Sequence, residues 1–449
     1  MKYSRRQFLG HAGIATTAAT QLSWMPLAAQ ADVTQGYKAL VCILLAGGND
    51  SFNMLIPNDD QYAGYQTVRA DLALPQEEIL PLSGVQPGQF AVHPGMPEVQ
   101  NLFDTGDLAF VANIGPLAEP TSRAAYDAES VPLPLGLFSH SDQIAVWQTA
   151  AAGQRVATGF GGRLADLVEP QVQTGPVSMN ISVAGTNLFQ TGVNAIGYAV
   201  DAREGVRTVG GYGEGESEIF TTALDALLAQ NYSNPFRQAY ANNLRGAIDS
   251  GTALQDALSN AVDFGDLFGN GPLSTALAQI ARLISIRDIL GVSRQTFFVT
   301  VGGWDHHDEV LENQAAMLPG ISQGLSEFHA ALTAMGVLQD VVTFSISDFG
   351  RTLTSNGRGS DHGWGGNNLV MGGGLAGGRV YGEYPEMALG TELDLGRGRF
   401  LPTTSVDEFY AELGLWYGVQ PGELDLVLPN IGRFYDVSGG APPVGYLLS

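Results

Sequence analysis

A set of short, continuous apolar runs, each ending in glycine or a polar residue, is the feature that most constrains the fold. The run "KALVCILLA" at 38–46 leads into "GGND", and "LAFVANIG" at 108–115 follows the helix-like stretch "PEVQNLFDTG". Runs of this length without polar alternation are typical of strands that are buried on both faces. The order strand, helix, strand therefore predicts the start of a parallel sheet.

The same pattern recurs along the chain, in "VSMNISVAG" near 177–185, "QTFFVTVGG" at 295–303, "VVTFSISDFG" at 341–350 and "NNLVMGGG" at 367–374. We predict an α/β fold with a doubly wound, mostly parallel sheet and helices on both faces. Residues from about 215 to 290 have the pattern of several consecutive helices, and predicted strands lie on either side of them in the sequence. We interpret them as a helical insertion or cap within one domain that spans 32–449.

The first 31 residues have the pattern of an export signal. Arg5 and Arg6 precede an apolar stretch, and Ala29 and Ala31 form an A-x-A cleavage site before Asp32. Twin arginines in this setting predict export through the twin-arginine machinery to the periplasm or beyond. An ordinary secretory signal or an uncleaved anchor is the alternative.

Charge and cysteine content exclude several classes of partner and site. The formal net charge is −24, which disfavours binding to nucleic acid or to anionic lipid surfaces. Cys42 is the only cysteine, so disulfides and cysteine-rich metal sites within one chain are excluded. After the leader no segment reaches the roughly 20 apolar residues of a membrane span. Any metal must therefore be held by His, Asp, Glu or backbone oxygen.

Ionisable residues follow the predicted strands at the points where those strands end. In an open parallel sheet the carboxyl ends of the strands form the edge where ligands bind. The residues concerned, which we predict to hold a metal, are Asp50, Asp305, His307, Asp348 and His362. Asp50 and Asp348 each have an alternative role as a cap of the turn that follows. For His362 the alternative is a packed or merely exposed side chain.

The stretch "GGWDHHD" at 302–308 contains two adjacent histidines, which cannot both point at one site. Alternation along an extended segment places Asp305 and His307 on one side and His306 on the other. We therefore expect Asp305 and His307 to be ligands, with His306 as a neighbour. A solvated turn is the alternative for the whole stretch.

Hydroxyl and guanidinium groups near these residues could serve an ester-cleaving site. Thr121 and Ser122 precede a helix-like run, where the helix dipole favours an ionised nucleophile, but the same position suits an N-cap. Arg351 and Arg358 could clamp an anion, with a surface arginine as the alternative. For His140 the sequence favours neither a structural hydrogen bond nor a role in the site over the other.

The combined motifs resemble a known family. A twin-arginine leader, "GGND", "LFSHSDQ", "GGWDHHD" and "SDFGRTLTSNGRGSDHGWGG" occur in the order typical of bacterial exported proteins with domain of unknown function 1501. The resemblance covers nearly the whole mature chain. It implies membership of the alkaline phosphatase and sulfatase superfamily, with a doubly wound sheet and one or two divalent metals.

That superfamily orders its site as an Asp, a hydroxyl or modified Cys nucleophile, then Asp with His, another Asp with His, and a final His. The chain follows this order, but Phe349 stands where many relatives have a histidine. The Asp305–His307 spacing is also tighter than in phosphatases. In "PTSR" at 120–123 no cysteine is present for conversion to formylglycine, which argues against a cysteine-type sulfatase.

These features predict a periplasmic, metal-dependent hydrolase or transferase that acts on a phosphate or related sulfate ester. Mixed carboxylate and imidazole ligands favour Zn, Mn or Fe over Mg or Ca, as one or two ions. Thr121 or Ser122 is the expected nucleophile and Arg351 the expected oxyanion clamp. The alternative is a non-catalytic exported protein of the same fold that binds a glycan or an assembly partner.

Overall fold

The structure is a computed structural model that describes residues 36–447, apart from 173, 174, 176, 196, 207, 208, 211 and 214–217. The predicted leader, 1–31, lies outside the described residues. The strands are β1 Lys38–Ala46, β2 Leu55–Pro57, β3 Leu80–Pro81, β4 Phe90–Val92, β5 Leu108–Gly115, β6 Asn180–Ser182, β7 Tyr198–Ala199, β8 Arg294–Gly302, β9 Val341–Ser347, β10 Arg351–Ser355, β11 Ser360–His362, β12 Gly366–Gly372, β13 Val380–Tyr381 and β14 Thr404–Ser405.

The α-helices are α1 Tyr62–Arg69, α2 Pro97–Asp104, α3 Arg123–Asp127, α4 His140–Thr149, α5 Phe160–Val172, α6 Glu218–Leu228, α7 Pro235–Leu258, α8 Pro272–Ser285, α9 Arg287–Leu290, α10 Val310–Ala334, α11 Val406–Tyr417 and α12 Leu424–Val427. The region from about 215 to 290 thus contains α6 to α9. None of the described helices combines the length and apolar composition that crossing a bilayer requires.

The main sheet has β1 near its centre and runs in the order β13, β5, β12, β9, β1, β8, β6, β7, with β14 also beside β5. β1 pairs in parallel with β8 on one side and with β9 on the other. Among the described strands of this sheet, β12 alone is antiparallel to its neighbours, β5 and β9. The predicted mostly parallel sheet is therefore confirmed, with one reversed strand.

Side chains of β1 alternate between two cores, one on each face of the sheet. Ala39, Val41, Ile43 and Leu45 belong to a core that also receives α8 and α10. Leu40, Cys42 and Leu44 belong to a second core that receives α5 and α11. The continuous apolar run of β1 is explained by this burial on both faces, and the helices on both sides confirm the doubly wound architecture.

Local signals set several helix ends. Pro97 stands in the first turn of α2, where its missing N–H has no intrahelical partner to lose. Ser405 and Glu408 form a capping box at the start of α11. Gly336, with φ of +70°, follows the end of α10, where glycine adopts the left-handed conformation most easily. Two small sheets, β2-β4-β3 and β10-β11, complete the fold, and β11 brings His362 to the carboxyl edge of the main sheet.

Candidate metal centre

The turn after β1 lets the loops after β8 and β9 approach it closely. Gly47 has φ of +124°, and a Cβ on it would lie 2.5 Å from the backbone nitrogen of Asp305. The Gly47 N–H donates to Asp348 Oδ1 at 2.9 Å. Side chains at the ends of β1, β8 and β9 therefore meet at one edge of the sheet, as the strand-end pattern predicts.

Three imidazole rings and one carboxylate converge at this edge. The distances from Asp305 Oδ1 are 3.2 Å to His307 Nε2, 3.5 Å to His140 Nε2 and 3.7 Å to His362 Nε2. The Nε2 atoms of His307 and His362 are 2.9 Å apart. We call these four side chains the His–Asp cluster.

Each ring of the His–Asp cluster uses its other nitrogen for a contact that fixes its orientation. His362 Nδ1 donates to the carbonyl oxygen of Phe138 at 2.7 Å, so its Nε2 is free to act as a ligand. His140 Nδ1 is 2.7 Å from Asp348 Oδ2, and His307 Nδ1 is 3.2 Å from Asp361 Oδ1. Second contacts of this kind are typical of metal-binding histidines.

The donor set fits a single divalent ion. In tetrahedral coordination with bonds of ~2.0–2.1 Å, neighbouring ligand atoms lie about 3.3 Å apart, which is close to the distances of the three Nε2 atoms from Asp305 Oδ1. His140 Nε2 is buried and has no hydrogen-bond partner among the described residues. His140, Asp305 and His362 have the mutual spacing of a metal site, and His307, outside that group of three, approaches it through Asp305 Oδ1 and His362 Nε2. A metal ion would supply the missing partner of His140.

Charge states within the cluster are compatible with metal binding at neutral pH. Burial opposes ionisation of Asp305, but the adjacent Arg351, His307 and His140 outweigh it and lower its pKa. The pKa of His362 is lowered mainly by burial, with Arg351 and the two other rings adding to the effect. The carboxylate is therefore charged and the His362 ring neutral, as ligands must be.

Asp361 supports His307 from behind. Burial would raise its pKa, but hydrogen bonds from Asn356, Arg397 and His307 bring the pKa to about 2. Arg397 Nη1 lies 2.6 Å from the second carboxylate oxygen. A carboxylate held in this way keeps the proton of His307 on Nδ1 and leaves Nε2 for the cluster.

Asp348, a predicted ligand, supports the cluster instead of joining it. The carboxylate is fully buried, with one oxygen bonded to Gly47 N and the other to His140 Nδ1. Both oxygens are thus committed to positioning. An Asp that follows a buried strand has the same sequence pattern whether it binds a metal itself or orients a residue that does.

Asp50, the other predicted ligand outside the cluster, lies in a buried ion pair. Its Oδ2 is 3.0 Å from Arg69 Nη2 and accepts from the hydroxyl of Ser360 at 2.6 Å. Both charged side chains are inaccessible to solvent. Asp50 Oδ1 has no hydrogen-bond partner among the described residues. A buried ion pair of this kind is costly to break by removal of one partner.

Arg351, the predicted oxyanion clamp, is also fully buried. Its Nε and Nη2 donate to the carbonyl oxygens of Gly48 and Gly47, and its Nη1 donates to that of Ser360. Nη2 also contacts Asp305 Oδ1 at 2.6 Å. All three nitrogens therefore hold the loops and the ligand carboxylate, and the guanidinium has no exposed surface for a substrate.

The two predicted nucleophiles make local contacts. Ser122 Oγ accepts from Ala125 N at 3.1 Å and is the N-cap of α3, the alternative that the sequence left open. Thr121 Oγ1 donates to the carbonyl of Glu119 at 2.8 Å. Among the described residues, no serine or threonine hydroxyl forms a hydrogen bond with a side chain of the His–Asp cluster.

His306 and Arg358 lie apart from the cluster. His306 is buried beside Trp304, and burial lowers its pKa, while Asp305 and His307 face outward as alternation predicts. Arg358 is exposed and pairs with Asp308 and Glu309. Arg358 is therefore a surface arginine, which was the alternative to an anion clamp.

Phe349 packs directly against the cluster. Its ring centroid is 4.8 Å from that of His140 and 4.4 Å from that of His362. It therefore fills the space beside the His–Asp cluster with apolar atoms, which cannot bind a metal. This arrangement favours one metal ion over two.

His140 is the cluster residue that sequence reasoning left undecided. It begins α4, far along the chain from Asp348 and Asp305. The signal available was its place in "LFSHSDQ", one of the motifs shared with the family.

Fold and site together define a mixed α/β protein with a candidate mononuclear metal centre at the carboxyl edge of its main sheet. The chain belongs to the family described as "Protein of unknown function (DUF1501)", whose model matches residues 37–424. No curated protein sequence matches the chain.

Several solved structures resemble the chain at low scores. The C-terminal periplasmic domain of EcEptC from Escherichia coli in complex with Zn is 9% identical, with 92% of this chain and 91% of that chain covered and a TM-score of 0.35. PsFucS1 sulfatase from Pseudoalteromonas sp. is 11% identical, with 86% and 68% covered and a TM-score of 0.34. The lipoteichoic acid synthase LtaP from Listeria monocytogenes is 9% identical, with 88% and 75% covered and a TM-score of 0.34. Similarity at this level does not establish a shared activity.

Proposed function

We propose that the protein is an exported, metal-dependent hydrolase or transferase that acts on a phosphate or related sulfate ester. The observation that carries this proposal is the convergence of three imidazole Nε2 atoms on Asp305 Oδ1, with an oriented partner behind each ring. The resemblance noted in the sequence supplies the substrate class. Export rests on the leader at 1–31 and on the twin-arginine machinery as its partner.

The proposed ligands are Asp305, His140, His307 and His362. Three imidazoles and one carboxylate suit Zn, Mn or Fe better than Mg or Ca, which prefer oxygen donors. This set changes the one predicted from sequence, because Asp348 and Asp50 are engaged elsewhere and His140 takes their place. A bound ion would polarise the ester oxygen and stabilise charge on the leaving oxygen.

The roles of the remaining residues follow from their contacts. Arg351 and Asp348 are positioning residues, since both are buried and hold cluster members in place. Ser122 is engaged as a helix cap, and Thr121 bonds its own loop. We propose that the acceptor oxygen comes from water in hydrolysis or from a substrate hydroxyl in transfer. It attacks phosphorus or sulfur as the ester bond breaks, and its proton passes to the leaving oxygen.

Turnover of an aryl phosphate, a phosphodiester and an aryl sulfate by the metal-reconstituted full chain tests the activity. Asp305→Asn should lower kcat/KM by roughly a hundredfold or more, because a ligand and the partner of Arg351 are lost together. Asp308→Asn removes an exposed carboxylate three residues away and should leave turnover unchanged. Absence of turnover on all three substrates by a metal-loaded wild type would contradict the proposal.

A non-catalytic role is the second candidate. The engaged hydroxyls of Thr121 and Ser122, and the apolar wall formed by Phe349, favour it. In that case the metal would stabilise the strand-end loops, and the protein would bind a glycan or an assembly partner. A metal-loaded wild type with a raised melting temperature and no turnover would support this candidate.

A further inference from the structure

A cleft outside the candidate metal centre is lined by two arginines that form no ion pair among the described residues. It has a volume of about 670 Å³ and lies between α8, the turn before α8 and the loop after β7. This volume is in the range of small-molecule sites. The chain has 21 Lys and Arg but 45 Asp and Glu. With so many carboxylates available, two arginines on one cleft that pair with none in the described part of the chain are unusual.

The two arginines are Arg203 and Arg282. Among the described residues, the guanidinium of Arg203 has no ion pair or hydrogen bond, and that of Arg282 donates one hydrogen bond, from Nη1 to the side-chain oxygen Oε1 of Gln279 at 3.2 Å. Gln279 is 2% exposed, and its amide nitrogen donates to no acceptor in the same part of the chain. The two guanidinium groups that line the cleft therefore have no carboxylate partner among the described residues. Guanidinium groups match the fork geometry of phosphate and sulfate.

Other lining residues suit the organic part of a ligand. Phe264 and Phe268 pack edge to face with centroids 5.8 Å apart and form the apolar side of the cleft. Asn270 and Thr275 supply neutral polar groups, and the carboxylate of Asp263 accepts from Gly265 N beside them. Such groups bind hydroxyls, and an aromatic edge packs against a sugar ring.

We propose that this cleft is a second binding site, which takes a sugar-sized molecule carrying a phosphate or sulfate monoester. Arg203 and Arg282 hold the oxyanion. Asp263, Asn270 and Thr275 bind hydroxyls of the sugar. The site is formed by elements other than those of the His–Asp cluster, so binding there does not require a metal.

Calorimetric titration of the full chain at low salt tests this site. The protein is first treated with a chelator, so that an ion at the metal centre cannot bind the probe. Glucose 6-phosphate and glucose 6-sulfate are the two oxyanion probes, and glucose is the neutral control. At least one oxyanion probe should bind and glucose should not, and the comparison of the two probes shows which ester is preferred.

The double variant Arg203→Gln, Arg282→Gln should weaken binding of the preferred probe roughly tenfold or more, because charge-assisted hydrogen bonds are lost. Arg237→Gln, an exposed arginine on α7, is the matched control and should bind as the wild type does. Circular dichroism confirms that the variants fold. Failure of both esters to bind, equal binding of glucose, or unchanged affinity in the double variant would overturn the proposal. None of these outcomes depends on turnover at the metal centre.

Discussion

At the scale of single residues, the three histidines of the cluster differ in what holds them. The Nδ1 atom of His140 contacts a buried carboxylate, and that of His307 contacts a partly exposed carboxylate that is paired with Arg397. The Nδ1 atom of His362 donates to a backbone carbonyl. The carbonyl belongs to Phe138, whose φ of +73° is unfavourable for a residue with a side chain. Strained backbone at such a point is typical of sites whose geometry matters for function.

Asp348→Asn should weaken metal binding by about 10- to 100-fold. The amide oxygen can still accept from Gly47 N, but the amide NH₂ then faces His140 Nδ1, where a proton acceptor is needed. Competition with a chromophoric chelator measures the dissociation constant. Asp308→Asn serves as the control, and wild-type affinity in Asp348→Asn would show that His140 is not oriented through this contact.

The members of the His–Asp cluster, our proposed ligands, were only partly predictable from the sequence. Asp305 and His307 follow from alternation after a buried strand, because side chains of an extended segment point to opposite sides. The positioning role of Asp348 and the place of His140 depend on a contact between residues 208 apart in sequence. Arg69, the partner of Asp50, lies on a separate helix whose packing no local pattern indicates.

At the scale of elements, the turn between β1 and β2 determines how closely the loops after β8 and β9 approach it. Gly47→Ala should lower the free energy of unfolding by roughly 3 kcal/mol, because a Cβ adds both a clash with Asp305 and an unfavourable positive φ. Gly390→Ala adds only the positive φ, since its Cβ would have open space, and should cost about 1 kcal/mol. Urea unfolding measures both. Equal losses would show that close packing at Gly47 contributes little.

The cap of α3 provides a test of Ser122. Ser122→Ala should lower the free energy of unfolding by about 0.5–1 kcal/mol through loss of the bond to Ala125 N, and should leave kcat unchanged. Thr121→Ala should likewise retain activity. A fall in kcat of a hundredfold or more in either variant, with the metal content intact, would restore that hydroxyl as the nucleophile.

Strands were easier to predict than their direction. The runs at 38–46 and 108–115 coincide with β1 and β5, because burial on both faces selects continuous apolar sequence. β12 has the same kind of sequence and runs antiparallel, since a strand of either direction buries both faces in this sheet. Direction depends on the connections, which apolar runs do not encode.

At the scale of the whole molecule, stability should depend on pH through a buried carboxyl group in α11. Burial raises the pKa of Asp407 from its ordinary value of 3.8 to about 8, against the opposing charge of Arg163. The folded state thus binds this proton more tightly than the unfolded state does. Its contribution to stability is fully present below about pH 4 and is lost as the pH rises through about 8.

Asp407→Asn, which keeps the shape of the neutral acid, should therefore be more stabilising at pH 8 than at pH 5, by about 1 kcal/mol or more. Urea unfolding at the two pH values measures the difference. Asp425→Asn, an exposed carboxylate on α12, should show no such difference. An equal effect of Asp407→Asn at both pH values would contradict the assignment.

The central claim is that three histidines and one aspartate hold one metal ion. Elemental analysis of the purified full chain, after dialysis against metal-free buffer, tests it most directly. We predict about one Zn, Mn or Fe per chain in the wild type and in Asp308→Asn, and well below half that amount in folded His140→Ala and Asp305→Asn. A wild type that holds no metal after reconstitution with each of these ions, or a His140→Ala variant that retains a full equivalent, would contradict the account.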